Sequence, residues 1–317
     1  MFEANSGHPT EKFDSRFGLM KSPTKPFRRC SSVTALGLIF LFVASSRNQP
    51  KPTSSLANGN NPTISVVCWV LSSDSEEDRS RKRSIEQGWG NICQHLEFID
   101  RFTVGITADW EEGYENISSK SFRAWQAIYN KYVLRSDGPS DFILKTDTDT
   151  YILGKNLLHY LRRFDPAVPH YIGKQMVNQN GVPFVAGTAI ILSQAALSKF
   201  YEASSDEVDH CMKADFDAFG PAEDLALATC LKHLGIFPQY TRDRRGRERF
   251  MVFNPESLHS DRDLPGWYKA FSFNTLVGPG CCSDEAVAFH YTSVDQLSDK
   301  EPLFSHGEWT WKQKVKV

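Results

Sequence analysis

Two carboxylates one residue apart, at the end of an apolar run, are the first feature of this chain able to do chemistry. FILKTDTDTY, residues 142–151, sets Asp147 and Asp149 around Thr148 and follows with Tyr151. In a short irregular turn such a pair reaches one hard divalent cation, and its oxygen donors suit Mg²⁺ or Mn²⁺. A cation held there binds a diphosphate and neutralises the charge that develops as it leaves. Asp and Thr are also ordinary turn and helix-capping residues, so the pattern by itself leaves a solvated turn open.

Ligands need a rigid support, and the flanking pattern predicts one. ISVVCWVL (64–71) is a continuous apolar, β-branched run, the mark of a strand buried on both faces. It ends in a charged turn over 72–83, and the stretch through Trp89 reads as helix. LEFIDRFTVGI (96–106) holds further strand candidates. SFRAWQAIYNKYVL (121–134) places Phe122, Trp125, Ile128, Tyr129 and Tyr132 at three-and-four spacing, which makes an amphipathic helix. DFILK is strand again, LGKNLLHYLRRF (153–164) helix, and HYIGK (170–174) strand. VAGTAIILS (185–193) is a small-residue turn feeding a strand, and QAALSKFYEAS (194–204) is helical. Strands alternating with helices predict an α/β sandwich around a largely parallel sheet. In such a sheet ligands gather beyond the carboxyl ends of the strands, where Asp147 and Asp149 fall.

The 317 residues carry 36 basic against 38 acidic side chains, a formal net charge of -2. No global field recruits an anionic partner, and nucleic acid is not expected. The amino-terminal region differs in kind. Cys30–Ser46 is a run of 17 residues without a charge, preceded by Lys21, Lys25, Arg28 and Arg29 and followed by Arg47 and Lys51. That length just spans a bilayer, and the excess of upstream cations keeps the amino terminus cytosolic. The expected organisation is a cytoplasmic tail (1–29), a transmembrane signal anchor (30–46), a flexible stem (47–62) and a lumenal domain (63–317). A cleaved signal peptide and a buried core helix are the alternatives. Of the seven cysteines, Cys68, Cys93, Cys211, Cys230, Cys281 and Cys282 lie beyond the anchor, an even count that suits an oxidising compartment. Asn116-Ile117-Ser118 is a glycosylation sequon in a polar loop, whereas Asn61-Pro62-Thr63 is blocked by its proline.

Several segments, taken in order, carry a resemblance. KTDTDTYILGKNL (145–157) resembles a segment of the β1,3-glycosyltransferase superfamily that includes fringe and the core 1 β1,3-galactosyltransferases, where a Lys-Ala-Asp-Asp-Asp-Thr-Tyr run holds the metal and nucleotide sugar. GPAEDLALATCL (220–231) is similar to that family's Glu-Asp segment, and TRDRRGRERFMVFNPE (241–256) to the core 1 group's Arg-Asp, Gly, Phe and Phe-x-Pro-Glu pattern. VGPGCCSDEAVAFHY (277–291) matches the Gly-Pro-Gly-Cys-Cys-Ser-Asp-x-Ala-Val-x-Phe-His-Tyr signature of the core 1 group. The likeness runs from about Val66 to about Tyr291.

The resemblance implies a GT-A, Rossmann-like lumenal domain with a mixed, mostly parallel sheet. It implies that Asp147, Asp149 and His290 bind the metal, with Mn²⁺ ahead of Mg²⁺, and that UDP-galactose is the donor. It implies that Lys120, Trp89 and Thr148 lie on the donor side. It places Asp224 as the base that takes the acceptor's proton and Glu223, Trp267 and Tyr268 on the acceptor side. The pairings implied are Cys68 with Cys93 and Cys211 with Cys230, with Cys281 near Cys282. By chemistry alone, a histidine placed like His290 is more often a core or strand-end residue than a ligand, and Lys120 also reads as a solvated lysine and Trp89 as core.

The activity implied is inverting transfer of galactose to the 3-hydroxyl of GalNAc α-linked to Ser or Thr on glycoproteins, at the Golgi membrane by a single-pass type II protein. A fringe-like β1,3-glycosyltransferase and a non-catalytic relative resembling the core 1 chaperone are the alternatives. The chain leaves open homodimer formation and a need for a dedicated chaperone. It departs from the family in two places. GWYKAFSFNTLVGPG (266–280) keeps Trp267 and Tyr268 but lacks the second Trp and the Tyr-Tyr-Pro-Pro of the Trp-Tyr-Trp segment. Ala186-Gly187-Thr188-Ala189-Ile190 replaces a Gly-Gly-Ala-Gly-Tyr turn. Both changes leave the acceptor and the donor sugar open.

Overall fold

The computed structural model describes residues 63–103, 116–202 and 222–297. The expected anchor and stem and Cys211 lie outside them. No helix among the described residues is long and apolar enough to cross a membrane.

Along the chain the elements are β1 (Val66–Leu71), α1 (Glu76–Gln87), β2 (His95–Ile99), α2 (Ile117–Tyr129), β3 (Phe142–Asp147), β4 (Tyr151–Ile152), α3 (Gly154–Leu161), β5 (Tyr171–Ile172), β6 (Gln175–Val177), β7 (Pro183–Val185), β8 (Ala189–Ser193), α4 (Gln194–Glu202), α5 (Glu223–His233), β9 (Phe250–Met251), α6 (Gly266–Phe271), β10 (Ala288–Phe289) and α7 (Val294–Leu297). The main sheet has the order β2-β1-β3-β8-β5. Every residue of β1 is buried, as its unbroken apolar run predicts. Trp69 on β1 meets Trp125 of α2 edge to face, with ring centroids 5.1 Å apart. Such a contact adds about 1 kcal/mol to the burial of two large rings.

The sheet is mixed and mostly of one direction: β1 pairs in parallel with β2 and β3, β8 runs antiparallel to β3, and β5, antiparallel to β8, points the way of β3 again, so that β8 alone is reversed. The run AIIL is apolar throughout and Ser193 is buried with it, and a strand buried on both faces has no period from which its direction can be read. This reversal matters for the site. Because Thr146 of β3 faces Ala189 of β8, the small-residue turn before β8 sits at the carboxyl end of β3.

Two further expectations shift. Residues 72–83 are not all turn: helix α1 begins at Glu76, with Ser75 Oγ accepting the Asp78 N–H at 3.1 Å and Glu76, Glu77 and Asp78 in its first turn. A capped start with acids against the helix dipole makes that charge run helical. Helix α2 begins at Ile117, earlier than expected, and ends in a π-helical turn, Asn130–Leu134. Asn116 therefore immediately precedes a helix rather than lying inside a loop.

Cys68 is bonded to Cys93, fastening β1 to the segment that leads into β2. Cys281 and Cys282 are bonded to each other. Cys230 is also disulfide-bonded.

Candidate functional site

Three elements converge on the acidic turn. β3 ends at Asp147, opposite Leu71 at the end of β1, so the first carboxylate stands at the carboxyl edge of the sheet. The chain turns through Thr148, Asp149 and Thr150 and re-enters a sheet as β4. β4 pairs antiparallel with β10, Phe289 facing Tyr151, which brings the next residue, His290, back beside the turn. Thr292 secures it: its backbone N–H and its hydroxyl both donate to the Asp149 carbonyl, at 3.0 and 2.7 Å. The residue between, Tyr291, adopts a left-handed backbone, φ 53, and stacks on the His290 ring.

The outcome is a compact group. His290 Nε2 lies 2.8 Å from Asp149 Oδ1 and 3.4 Å from Asp147 Oδ2. One ligand atom from each of Asp147, Asp149 and His290 lies within 4.8 Å of the others. Two carboxylates and an imidazole on one side of a half-buried turn form a donor set that fits a divalent cation of the Mg²⁺ or Mn²⁺ class. Burial works against a charge on His290, but Asp149 and Asp147 prevail and raise its pKa to about 9.

A second acidic pair stands behind the first. Residues 145 and 147 share one face of β3 by strand alternation, and Lys145 is fully buried. Its ammonium donates to Asp147 Oδ1 at 2.8 Å, to the Gly187 carbonyl at 3.1 Å and to Glu223. Burial opposes the charge on Lys145, but Asp147 and Glu223 outweigh it and its pKa is raised. Burial likewise opposes the charge on Asp147, and Lys145 and His290 overcome it, holding the pKa at about 2. Glu223 opens α5, as the sequence predicts, and its neighbour Asp224 accepts the Gly187 N–H at 3.0 Å and the Leu225 N–H at 2.9 Å. Burial, with Glu223 adding to it, raises the Asp224 pKa to about 6. Asp224 is thus a carboxylate poised to exchange a proton near neutral pH, joined to the Asp147 side through Gly187 and Lys145.

The other sequence-predicted residues fall around this centre. Trp89 is buried and its indole N–H donates to the Thr150 carbonyl at 3.0 Å, so it supports the acidic turn from beneath. Lys120 is buried and donates to the Ser72 carbonyl at 2.6 Å, just past the end of β1. Thr148 donates to Asp78 Oδ1 at 2.5 Å, tying the turn to α1. Trp267 and Tyr268 are linked to His290 through rings: Phe253 lies 6.0 Å from Trp267, 5.0 Å from Tyr268 and 5.3 Å from Tyr291. Tyr268 is only 2% exposed and belongs to the core. Sequence reasoning gave no role to Lys145, Asp78 or Thr292 and read Gly187 only within the small-residue turn before β8. Lys145 carried one local signal, its place two residues before Asp147 on a strand; its contacts with Gly187 and Glu223 carried none.

No protein-family model matches the chain. The chain is related to glycoprotein-N-acetylgalactosamine 3-beta-galactosyltransferase 1 of Xenopus laevis, 26% identical over 252 residues that cover 77% of this chain and 67% of that protein. The resemblance read from the motifs is therefore present across most of the chain. Two solved structures show a distant likeness. One is a glycosyltransferase involved in the glycosylation of the major capsid of PBCV-1, with 13% identity, 74% of this chain and 98% of that chain covered and a TM-score of 0.41. The other is galactosyltransferase LgtC in complex with donor and acceptor sugar analogues, with 9% identity, coverages of 75% and 96% and a TM-score of 0.41.

Proposed function

We propose that this relative of the core 1 β1,3-galactosyltransferases transfers galactose from UDP-galactose, with inversion, to the 3-hydroxyl of GalNAc α-linked to Ser or Thr of a glycoprotein. The observation that carries the reading is the pairing of two acidic centres with different electrostatics. The Asp147–Asp149–His290 group suits a cation, and Asp224, behind Lys145, has a raised pKa. A nucleotide-sugar transferase needs both, one centre for the departing diphosphate and one for the incoming hydroxyl.

Asp147, Asp149 and His290 would hold Mn²⁺, which supplies charge neutralisation to the diphosphate when bound. Asp224 accepts the proton of the acceptor hydroxyl as that oxygen forms a bond to the anomeric carbon and the bond to the diphosphate oxygen breaks. One displacement inverts the centre, and no covalent sugar on the protein is needed. Lys145 keeps Glu223 and the start of α5 in place, and Gly187 turns its N–H toward Asp224 so that the carboxylate points one way. Lys120, Trp89 and Thr148 shape the donor side, and Glu223 and Trp267 the acceptor side, where Tyr268 is a buried support packed edge-on against Trp267 and touches no sugar itself. The domain adopts a GT-A arrangement over 63–317, behind a stem and a type II Golgi anchor formed by Cys30–Ser46, with Asn116 open to glycosylation in the lumen.

The test uses the full chain in detergent with UDP-galactose and a GalNAc-threonine peptide, with Mn²⁺ and with chelator. Metal-dependent galactosylated product is the expected result. Absence of product with UDP-galactose, together with transfer from UDP-GlcNAc, would move the chain to a fringe-like donor; absence with every nucleotide sugar leaves the chaperone-like alternative.

A further inference from the structure

A concavity whose lining includes none of Asp147, Asp149 and His290 has the chemistry of a sugar platform. It encloses about 350 Å³ and is lined by Gln175, Tyr240, Thr241, Arg242, Glu248 and Phe273. That volume lies at the small end of the range for small-molecule pockets. Two of its walls are rings held out in solvent, Tyr240 at 68% and Phe273 at 56% exposure, whereas most other aromatic side chains among the described residues pack inward. Single exposed rings are ordinary, and Phe102 is as exposed as these; what sets Tyr240 and Phe273 apart is that both line one cavity.

The floor is built. Glu248 is buried and accepts from the buried Lys174 and from Arg242 Nε at 2.8 Å. A second nitrogen of Arg242 donates to the Asn274 carbonyl at 3.2 Å, and the Thr241 hydroxyl to the Gly173 carbonyl at 2.9 Å. The charges therefore face one another, and most of the guanidinium's donors are already engaged by the protein. Such a floor does not favour a free anion. It offers fixed, partly used polar edges and the Gln175 amide to neutral hydroxyls, while the two rings offer apolar faces. Hydroxyl edges with an apolar C–H face are the chemistry of a pyranose.

The cavity also has a backbone route to the proposed base. The Lys174 backbone carbonyl accepts the Ala186 N–H at 2.9 Å, and the N–H of the next residue, Gly187, donates to Asp224. Phe273 lies five residues after Tyr268, just past the end of α6. The exposed ring of that stretch is thus Phe273, while Tyr268 is sealed in the core.

We infer that this cavity binds a pyranose ring of the acceptor, with Tyr240 and Phe273 as its stacking faces and Gln175, Arg242 and Glu248 as its hydroxyl-recognising edge. The inference rests on the proposed transferase reading for the word acceptor; the binding of a sugar does not depend on it.

Saturation-transfer NMR on the full chain in detergent, without metal or nucleotide, isolates the cavity from the Asp-Asp-His group. The probes are methyl α-N-acetylgalactosaminide and a GalNAc-threonine peptide. Ring-proton transfer to the sugar is expected, lost in Tyr240→Ala/Phe273→Ala and kept in Tyr240→Trp. Affinity should fall roughly tenfold for each lost ring, the scale of one aromatic contact. Thermal melting checks that the variants fold, which their exposed positions favour. Failure of the wild-type chain to bind either probe, or equal binding by the folded double variant, overturns the inference. A transferase assay that fails while this binding survives overturns the function and leaves the subsite standing.

Discussion

Lys145 Nζ stands 2.8 Å from Asp147 Oδ1, on the same strand and fully out of solvent, and its other carboxylate partner is Glu223 at the start of α5. One buried cation therefore holds two separate segments of the site. Removing it strands two carboxylates around an apolar gap, a change on the order of 3–5 kcal/mol for a broken buried pair. Lys145→Met should lower the midpoint of chemical denaturation accordingly. Adding Glu223→Gln to Lys145→Met should restore part of the loss, because one uncompensated charge goes with it. A double variant no more stable than Lys145→Met would show that the pair does not carry the effect.

This contact also marks where sequence reading stops. The spacing of Asp147 and Asp149 points to a cation from residue types alone, and β1 is legible because six consecutive buried residues leave no other reading. His290 became a candidate only through the family signature, since a lone histidine before Tyr291 carries no local signal. Lys145 was missed because its partners lie 42 and 78 residues away, at Gly187 and Glu223. No period or spacing encodes such a contact. The reversal of β8 escaped for the same reason: direction is set by how the chain returns, and an all-apolar strand satisfies its burial either way.

Asp224 should set the acidic limb of the rate. A base acts when ionised, and burial with Glu223 has lifted this group to about 6, above the ordinary aspartate value of 3.8. Activity should therefore rise with pH through about 6 and be lost below it, the reverse of a group that must donate a proton. Asp224→Asn should cut kcat by roughly 10²–10⁴ with little change in the donor KM. The residual rate should no longer bend near pH 6. A bend that persists in the variant assigns the limb to another group.

Asp149 and His290 can be separated from the base by binding rather than turnover. Asp149→Ala and His290→Ala each remove one of the three proposed ligands, so calorimetric titration with Mn²⁺ should show at least a tenfold weaker Kd. Asp224→Asn should bind Mn²⁺ like the wild type, since its carboxylate contacts Gly187 and Leu225 rather than the cation group. Equal loss in all three variants would mean that the two acidic centres act as one.

The Cys68–Cys93 and Cys281–Cys282 disulfides should differ sharply in what they contribute. Cys68–Cys93 joins residues separated by 25 in sequence, whereas Cys281–Cys282 joins neighbours. Loop-closure entropy gives the first about 3.5 kcal/mol and the second very little. The adjacent pair acts instead on its surroundings: the Cys281 carbonyl accepts the Glu248 N–H at 2.9 Å, and the Glu248 carbonyl accepts the Ser283 N–H at 2.8 Å. Glu248 is the carboxylate that anchors Lys174 and Arg242 beneath the sugar platform. Cys68→Ser/Cys93→Ser should therefore lower the Tm strongly, and Cys281→Ser/Cys282→Ser should leave the Tm nearly unchanged while weakening pyranose binding in the same NMR experiment. If the second variant instead melts as early as the first, the adjacent pair holds the fold and not the platform.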